Sequence, residues 1–226
     1  FEESADVSVS ISGSPSASTL IAGQGVADLL HVTLTNNSAS SVNLNQLKFT
    51  RTGVSSDTTL SNLYLFDGWV RLTDAATISS SVATFNDSTG LATIPAGGSK
   101  TLVIRSDVAA STSGQTVGLK IASASDFSFS GSGAASGSFP LTGSVNTIAT
   151  SPSTFATLDF TGSTTPTASS IDPAEGLRLF ERTLSVGINE VDLYAVRFRN
   201  IGSIDADDVT NWKLYVGGVA RGSAVS

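Results

Sequence analysis

Apolar and polar residues alternate along most of this chain. Asp6-Val7-Ser8-Val9-Ser10-Ile11-Ser12 alternates for seven residues, and Leu30-His31-Val32-Thr33-Leu34-Thr35 follows the same rule. Thr116-Val117-Gly118-Leu119-Lys120-Ile121-Ala122 repeats it, and Thr101-Leu102-Val103-Ile104-Arg105 does so loosely. A period of two belongs to a strand with one buried face. Turn-forming groups separate these runs: Ser12-Gly13-Ser14-Pro15, Asn36-Asn37-Ser38, Phe66-Asp67-Gly68-Trp69, Ile94-Pro95-Ala96-Gly97-Gly98 and Ser113-Gly114. No segment holds a helical period long enough for a confident helix. The pattern predicts an all-β chain of short strands, arranged as a sandwich or barrel.

The strand pattern also repeats. Gly23–Asn36 aligns without gaps on Gly187–Asn200, matching Asp28 with Asp192, Leu29 with Leu193 and Val32 with Val196. Further on, 61–68 resembles 210–218, so that Leu63 aligns with Trp212. Upstream, 7–13 resembles 158–162. Three matches in one order predict tandem immunoglobulin-like or jelly-roll-like β-sandwich modules. The first spans 1–148 and includes the N-terminal strand. A Ser/Thr/Pro-rich linker occupies 149–154. The second module spans 155–226 and is incomplete, stopping where the first has reached only about its middle. Half a sandwich leaves an apolar face and a strand edge uncovered. Three explanations stand side by side: a fragment of a longer repeat chain, a smaller module closed by its own loops, or strands supplied by a neighbouring subunit.

Several strings carry a family likeness. Leu34-Thr35-Asn36-Asn37, 42–49 and 60–68 resemble immunoglobulin-like repeats of prokaryotic cell-surface proteins of the S-layer and adhesin type. So do Ile94–Leu102 and Arg105-Ser106-Asp107-Val108. A fainter similarity, through the Phe1-Glu2-Glu3 start and the strand ends at Asn36 and Asn200, is to matrix fibre subunits of the TasA/camelysin type. In such fibres an N-terminal strand can enter the next subunit. The resemblance implies an extracellular, surface-assembled protein, with Val7, Val9 and Ile11 as the candidate assembly strand.

Composition narrows the classes. Only 14% of residues are charged, against about 25% in ordinary globular proteins, while Ser and Thr exceed a quarter of the chain. The net charge of −7, with 12 basic residues, argues against nucleic-acid partners, which require concentrated cationic side chains. The chain contains no cysteine, which excludes disulfides, thiolate metal sites and cysteine nucleophiles. No apolar run approaches the roughly 20 residues of a helical membrane span. The chain begins at Phe1 rather than Met, which reads as a mature N-terminus after processing or as a boundary within a longer chain.

The search for chemistry yields little. His31, the single histidine, lies on the polar register of a strand, and no G-x-S-x-G elbow accompanies it. Carboxylate pairs such as Glu175 with Glu181 or Asp67 with Asp74 have no spacing that implies a cleft. Gly97-Gly98-Ser99-Lys100-Thr101 lacks phosphate-loop spacing and leads into a strand. The best ion candidates are Asp205, Asp207 and Asp208, whose clustered carboxylates suit calcium although the EF-hand pattern is absent. Asn36 and Asn86 open N-glycosylation triplets in expected turns. Trp212 falls on a core position of the repeat, whereas Trp69 lies in a turn where an aromatic ring can meet a sugar.

These readings converge on a non-enzymatic, extracellular structural protein. It is expected to be the subunit of a surface filament or surface layer, joined to copies of itself through strand and sandwich contacts. An adhesin or carbohydrate-binding module, with surface glycans as partners, is the alternative.

Overall fold

The computed structural model describes residues 6–225 except 12–13, 132, 153–154, 166–169, 171, 194–195 and 199–203. The Phe1-Glu2-Glu3 start and the Asn200 strand end therefore lie outside the described residues, as do 153–154 of the expected linker. Among the described residues the chain is all-β, with three single-turn 3₁₀ helices and no α-helix. No described helix is long and apolar enough to cross a membrane. The chain divides into two units, Phe1–Ser153 and Thr154–Ser226.

The first unit contains β1 (Asp6–Ser10), β2 (Thr19–Ile21), β3 (Ala27–Asn36), β4 (Val42–Thr52), β5 (Leu60–Asp67), β6 (Val70–Arg71) and β7 (Val82–Asn86). Then follow β8 (Ala92–Ile94), β9 (Ser99–Val108), β10 (Thr116–Ile121), β11 (Phe127–Phe129), β12 (Ala134–Ser136), β13 (Leu141–Thr142) and β14 (Asn146–Ala149). One sheet runs β12-β1-β3-β9-β5-β6. The other runs β11-β4-β10-β14-β2, with β7 and β8 also on β4 and β13 on β10. Leu30, Val32 and Leu34 of β3, Leu63 and Leu65 of β5, and Leu102 and Ile104 of β9 project inward from the first sheet. Leu44, Leu47 and Phe49 of β4 meet them with Val117, Leu119 and Ile121 of β10 in one continuous core. The two sheets thus form a β-sandwich, each strand contributing alternate residues to the interior. Burying one such leucine or phenylalanine contributes about 1.5–3 kcal/mol, so these side chains dominate the unit's stability.

Two details place the outer surface. The β3–β9 register shifts between Asp28 and Leu30, a bulge that buries Leu29 and Leu30 in succession. Because of the extra residue, Asp28 and His31 both fall on the solvent side. The second detail is β1. It pairs antiparallel with β3 through Val7–Ser10 and parallel with β12 through Asp6–Ser8, so both its edges are occupied.

The second unit consists of two antiparallel ribbons, β15 (Thr157–Thr165) with β16 (Glu181–Gly187) and β17 (Trp212–Val216) with β18 (Val219–Val225). Opposed residues share a face, so Leu158 and Val186, then Phe160 and Leu184, form one apolar stripe. On the other ribbon Trp212, Leu214 and Val216 alternate onto one face, with Val225 opposite Trp212 and Val219 opposite Val216. The β17–β18 turn is Gly217-Gly218, both at positive φ, the geometry a two-residue hairpin requires.

Of the matched segments, 7–10 fall in β1 and 158–162 in β15, and the β5–β6 hairpin corresponds in position to β17–β18. The strand expected over the partner of β3 is not found: 191–193 and 196–198 carry no ladder. β3 is held between β1 and β9, whereas no strand pairs with 191–193 or 196–198 among the described residues. Alternation supplies a suitable face but no ladder without a neighbour.

Candidate functional site

The solvent side of the six-stranded sheet changes character along its length. At one end hydroxyls pair across β3 and β9, Thr35 with Ser99 and Thr33 with Thr101, each pair 2.8 Å apart. At the other end the pleat presents Asn62, Tyr64 and Phe66 from β5 beside Val103, Arg105 and Asp107 from β9. The β5–β6 hairpin then turns back through Gly68-Trp69 and adds Arg71, directly opposite Phe66.

Arg105 lies at the centre of this cluster. Its guanidinium carbon is 4.7 Å from the ring centroid of Phe66 and 4.7 Å from that of Trp69. One amino group donates to the Gly68 carbonyl at 3.2 Å. The residue is only 8% exposed, yet among the described residues no carboxylate lies within ion-pairing distance of it. The two acidic neighbours serve other donors. Asp28, opposite Arg105 on β3, holds both carboxylate oxygens 3.0 Å from His31 Nε2. Asp107 accepts from Val26 N–H, Asn62 Nδ2 and the Tyr64 hydroxyl at 2.9, 3.0 and 3.1 Å. Burial, followed by the Asp107 charge, pushes the Tyr64 hydroxyl above its ordinary pKa. Arg71 lies 5.2 Å from the Tyr64 ring centroid and 3.9 Å from Asp74.

Trp69 covers one face of Arg105 and is itself 76% exposed. Gly68 at φ +58° opens the turn that raises the indole to this position. The site is therefore a cation in contact with two rings, the buried Phe66 and the outward-presented Trp69. The sequence placed Trp69 in a turn but did not find Arg105. That pairing depends on the β5–β9 register, which joins residues some 40 positions apart in the chain.

The remaining candidates distribute as follows. Val7 and Val9 are buried in the core of their own unit, and Ile11 packs against it. Asn36 is fully buried: its amide donates to the Ser40, Ile94 and Pro95 carbonyls, and its oxygen accepts from Ser38 N–H. The folded unit gives a glycan no access to that amide, whereas Asn86 is exposed at the end of β7. Trp212 is 38% exposed, unlike its repeat partner Leu63 at 0%. Its indole N–H donates to the Val209 carbonyl, and the two-stranded ribbon offers no opposing sheet to cover the ring.

Asp205 precedes a single 3₁₀ turn that carries Asp207 and Asp208, all three exposed. No group of three or more metal-ligating side chains converges among the described residues. Asp67 is engaged by Lys100 at 2.6 Å and Glu181 by Arg178 at 2.7 Å. A small open recess of about 180 Å³, lined by Asp57, Thr58, Leu60, Ser61, Thr77 and Ile78, contains neither carboxylate pair.

Fold and site define an all-β protein with a two-sheet sandwich and an aromatic–cation surface cluster. No protein-family model matches the chain, and no curated protein is similar to it. Among solved structures, the seventh ScaB type I cohesin from Pseudobacteroides cellulosolvens is similar over 66% of this chain and 94% of that one. The identity is 13% and the TM-score 0.26.

Proposed function

We propose that the chain is an extracellular structural protein, a subunit that assembles with copies of itself into a surface filament or layer. The observation that carries this reading is the uncovered apolar face of each ribbon in the second unit. Phe160 is 58% exposed, and Leu184, Val186, Trp212, Leu214 and Val216 are also exposed. An isolated two-stranded ribbon is marginal in water, and an exposed apolar stripe is stabilised by a covering surface. A second copy supplies such a surface in a homopolymer, where identical faces meet repeatedly. Low charge and a Ser/Thr-rich composition, together with the resemblance to repeats of prokaryotic surface proteins, support a location outside the cell.

β1 is a costly route to strand exchange, since Val7 and Val9 must first leave a core and two ladders. The ribbons require no such opening. The test is electron microscopy with sedimentation velocity on the whole chain and on the Phe160→Ser/Leu184→Ser variant. Ordered polymers from the whole chain, lost in the variant, are the expected outcome. A monodisperse monomer at high concentration sinks the proposal.

A second reading rests on a different observation. Trp69 presents its ring to solvent beside a buried arginine, which favours a glycan-binding adhesin or carbohydrate-binding module. Glycan-array binding that disappears in Trp69→Ala supports it, and silence across the array removes it.

A further inference from the structure

We infer that the Arg105–Trp69 cluster is a subsite for an acidic glycan, in which Arg105 takes the carboxylate of a uronate-type sugar and Trp69 takes its ring. This rests on the glycan-binding reading and names the ligand class. A guanidinium carries five N–H donors, and the structure assigns an acceptor to one of them, the bond to Gly68. Phe66 and Trp69 each have their ring centroid 4.7 Å from the guanidinium carbon. A guanidinium presents its N–H donors along its edge, which a carboxylate meets with two parallel hydrogen bonds. No side-chain nitrogen of Arg105 is both buried and without a partner, so the edge retains access to solvent.

Charge supports the same ligand. Arg105 has no carboxylate within ion-pairing distance among the described residues, while Arg71 lies 3.9 Å from Asp74 and Asp28 and Asp107 are turned to His31, Asn62 and Tyr64. An arginine this buried without a counter-ion is costly, and an incoming carboxylate removes the cost. The exposed indole favours a sugar over an acidic peptide. It offers a flat apolar surface to a pyranose, whereas the neighbouring edge strand β6 has only two residues, too few to template a peptide strand.

The experiment uses the whole chain and two probes, polygalacturonate and its fully methyl-esterified form, in affinity electrophoresis and calorimetry. Arg105→Lys and Trp69→Ala are compared after circular dichroism and thermal melting have established folding. Lysine keeps the charge but loses the planar pair of donors. The inference expects the ester to bind at least tenfold more weakly than the acid, and each substitution to weaken acid binding at least tenfold. Equal binding of acid and ester, lost in Trp69→Ala, overturns the acidic subsite and leaves the glycan reading standing. No binding of either polymer overturns this inference, while a neutral glycan found on the array would still support the broader reading. Acid binding untouched by both substitutions overturns the site, as does a self-association that Arg105→Lys abolishes, which would assign the arginine to a second copy. Should Arg105→Lys fail to fold, the ester comparison and the exposed Trp69→Ala decide.

Discussion

At the scale of single residues, the buried polar groups carry the sharpest consequences. Asn36 closes the loop after β3 by satisfying three carbonyls and holding Ser38. Asn36→Ala removes these bonds from a fully buried position, including the acceptor for Ser38 N–H, and is expected to cost about 1–3 kcal/mol, read as a lower denaturant midpoint. Asp57 is an electrostatic counterpart. The Ser81 N–H donates to its carboxylate, and Arg51 bonds it through two nitrogens, outweighing partial desolvation, so its carboxyl titrates below the usual range. A carboxyl depressed in the folded state stabilises the fold at neutral pH and loses that contribution as pH falls through the folded value. Asp57→Asn is therefore expected to lower stability at pH 7. It should also flatten the acid limb of a pH–stability curve below about pH 4. An unchanged acid limb would contradict the pairing.

Elements differ in how firmly they are held. β3 and β9 run through the middle of a sheet, and β1 is bonded on both sides, while among the described residues β15 pairs with β16 alone and β17 with β18 alone. Amide hydrogen exchange is expected to show strong protection at Val7–Ser10, Val32–Leu34 and Leu102–Ile104. Exchange at Leu158–Phe160 and Leu214–Val216 should be faster by orders of magnitude in the monomer, and slower in polymers. The first unit's strands were legible because alternation of Val7, Val9 and Leu30–Leu34 encodes a buried face directly. The exposure of Trp212 was not, because the match to Leu63 conveys strand position and not whether an opposing sheet exists. Nor was the absence of a ladder at 191–193 and 196–198 among the described residues, where Leu193 and Val196 match Leu29 and Val32 in type. His31 on the polar register agrees with its place beside Asp28. The bulge that brings them together depends on β9, not on the local sequence.

At the scale of the molecule, the first unit places its specialised surfaces apart from its core. The sandwich core is built mainly from apolar side chains, with Asn36, Thr59 and Ser106 buried beside them, and the cation–ring cluster lies on the outer side of one sheet. Few charges and a net charge of −7 leave only weak repulsion between copies at physiological salt, where the screening length is about 8 Å. Polymerisation driven by the Phe160 and Trp212 faces is accordingly expected to depend weakly on salt. The proposed acidic-glycan binding at Arg105 should weaken as salt rises, so ionic strength is expected to separate the two proposed behaviours in one preparation.

The parallel pairings of the first unit have a mechanical meaning. β1 lies parallel to β12, and β2 lies parallel to β14, so segments near the beginning of the unit are laced to segments near its end. Tension entering before Asp6 and leaving after Ala149 pulls these neighbours along their own axes in opposite directions. The rungs from Thr19–Thr147 to Ile21–Ala149 then bear load together in shear and do not unzip one by one. Rupture under force is governed by the unfolding barrier, not by equilibrium stability. A unit clamped in this way suits a chain that is held at one end and tugged at the other.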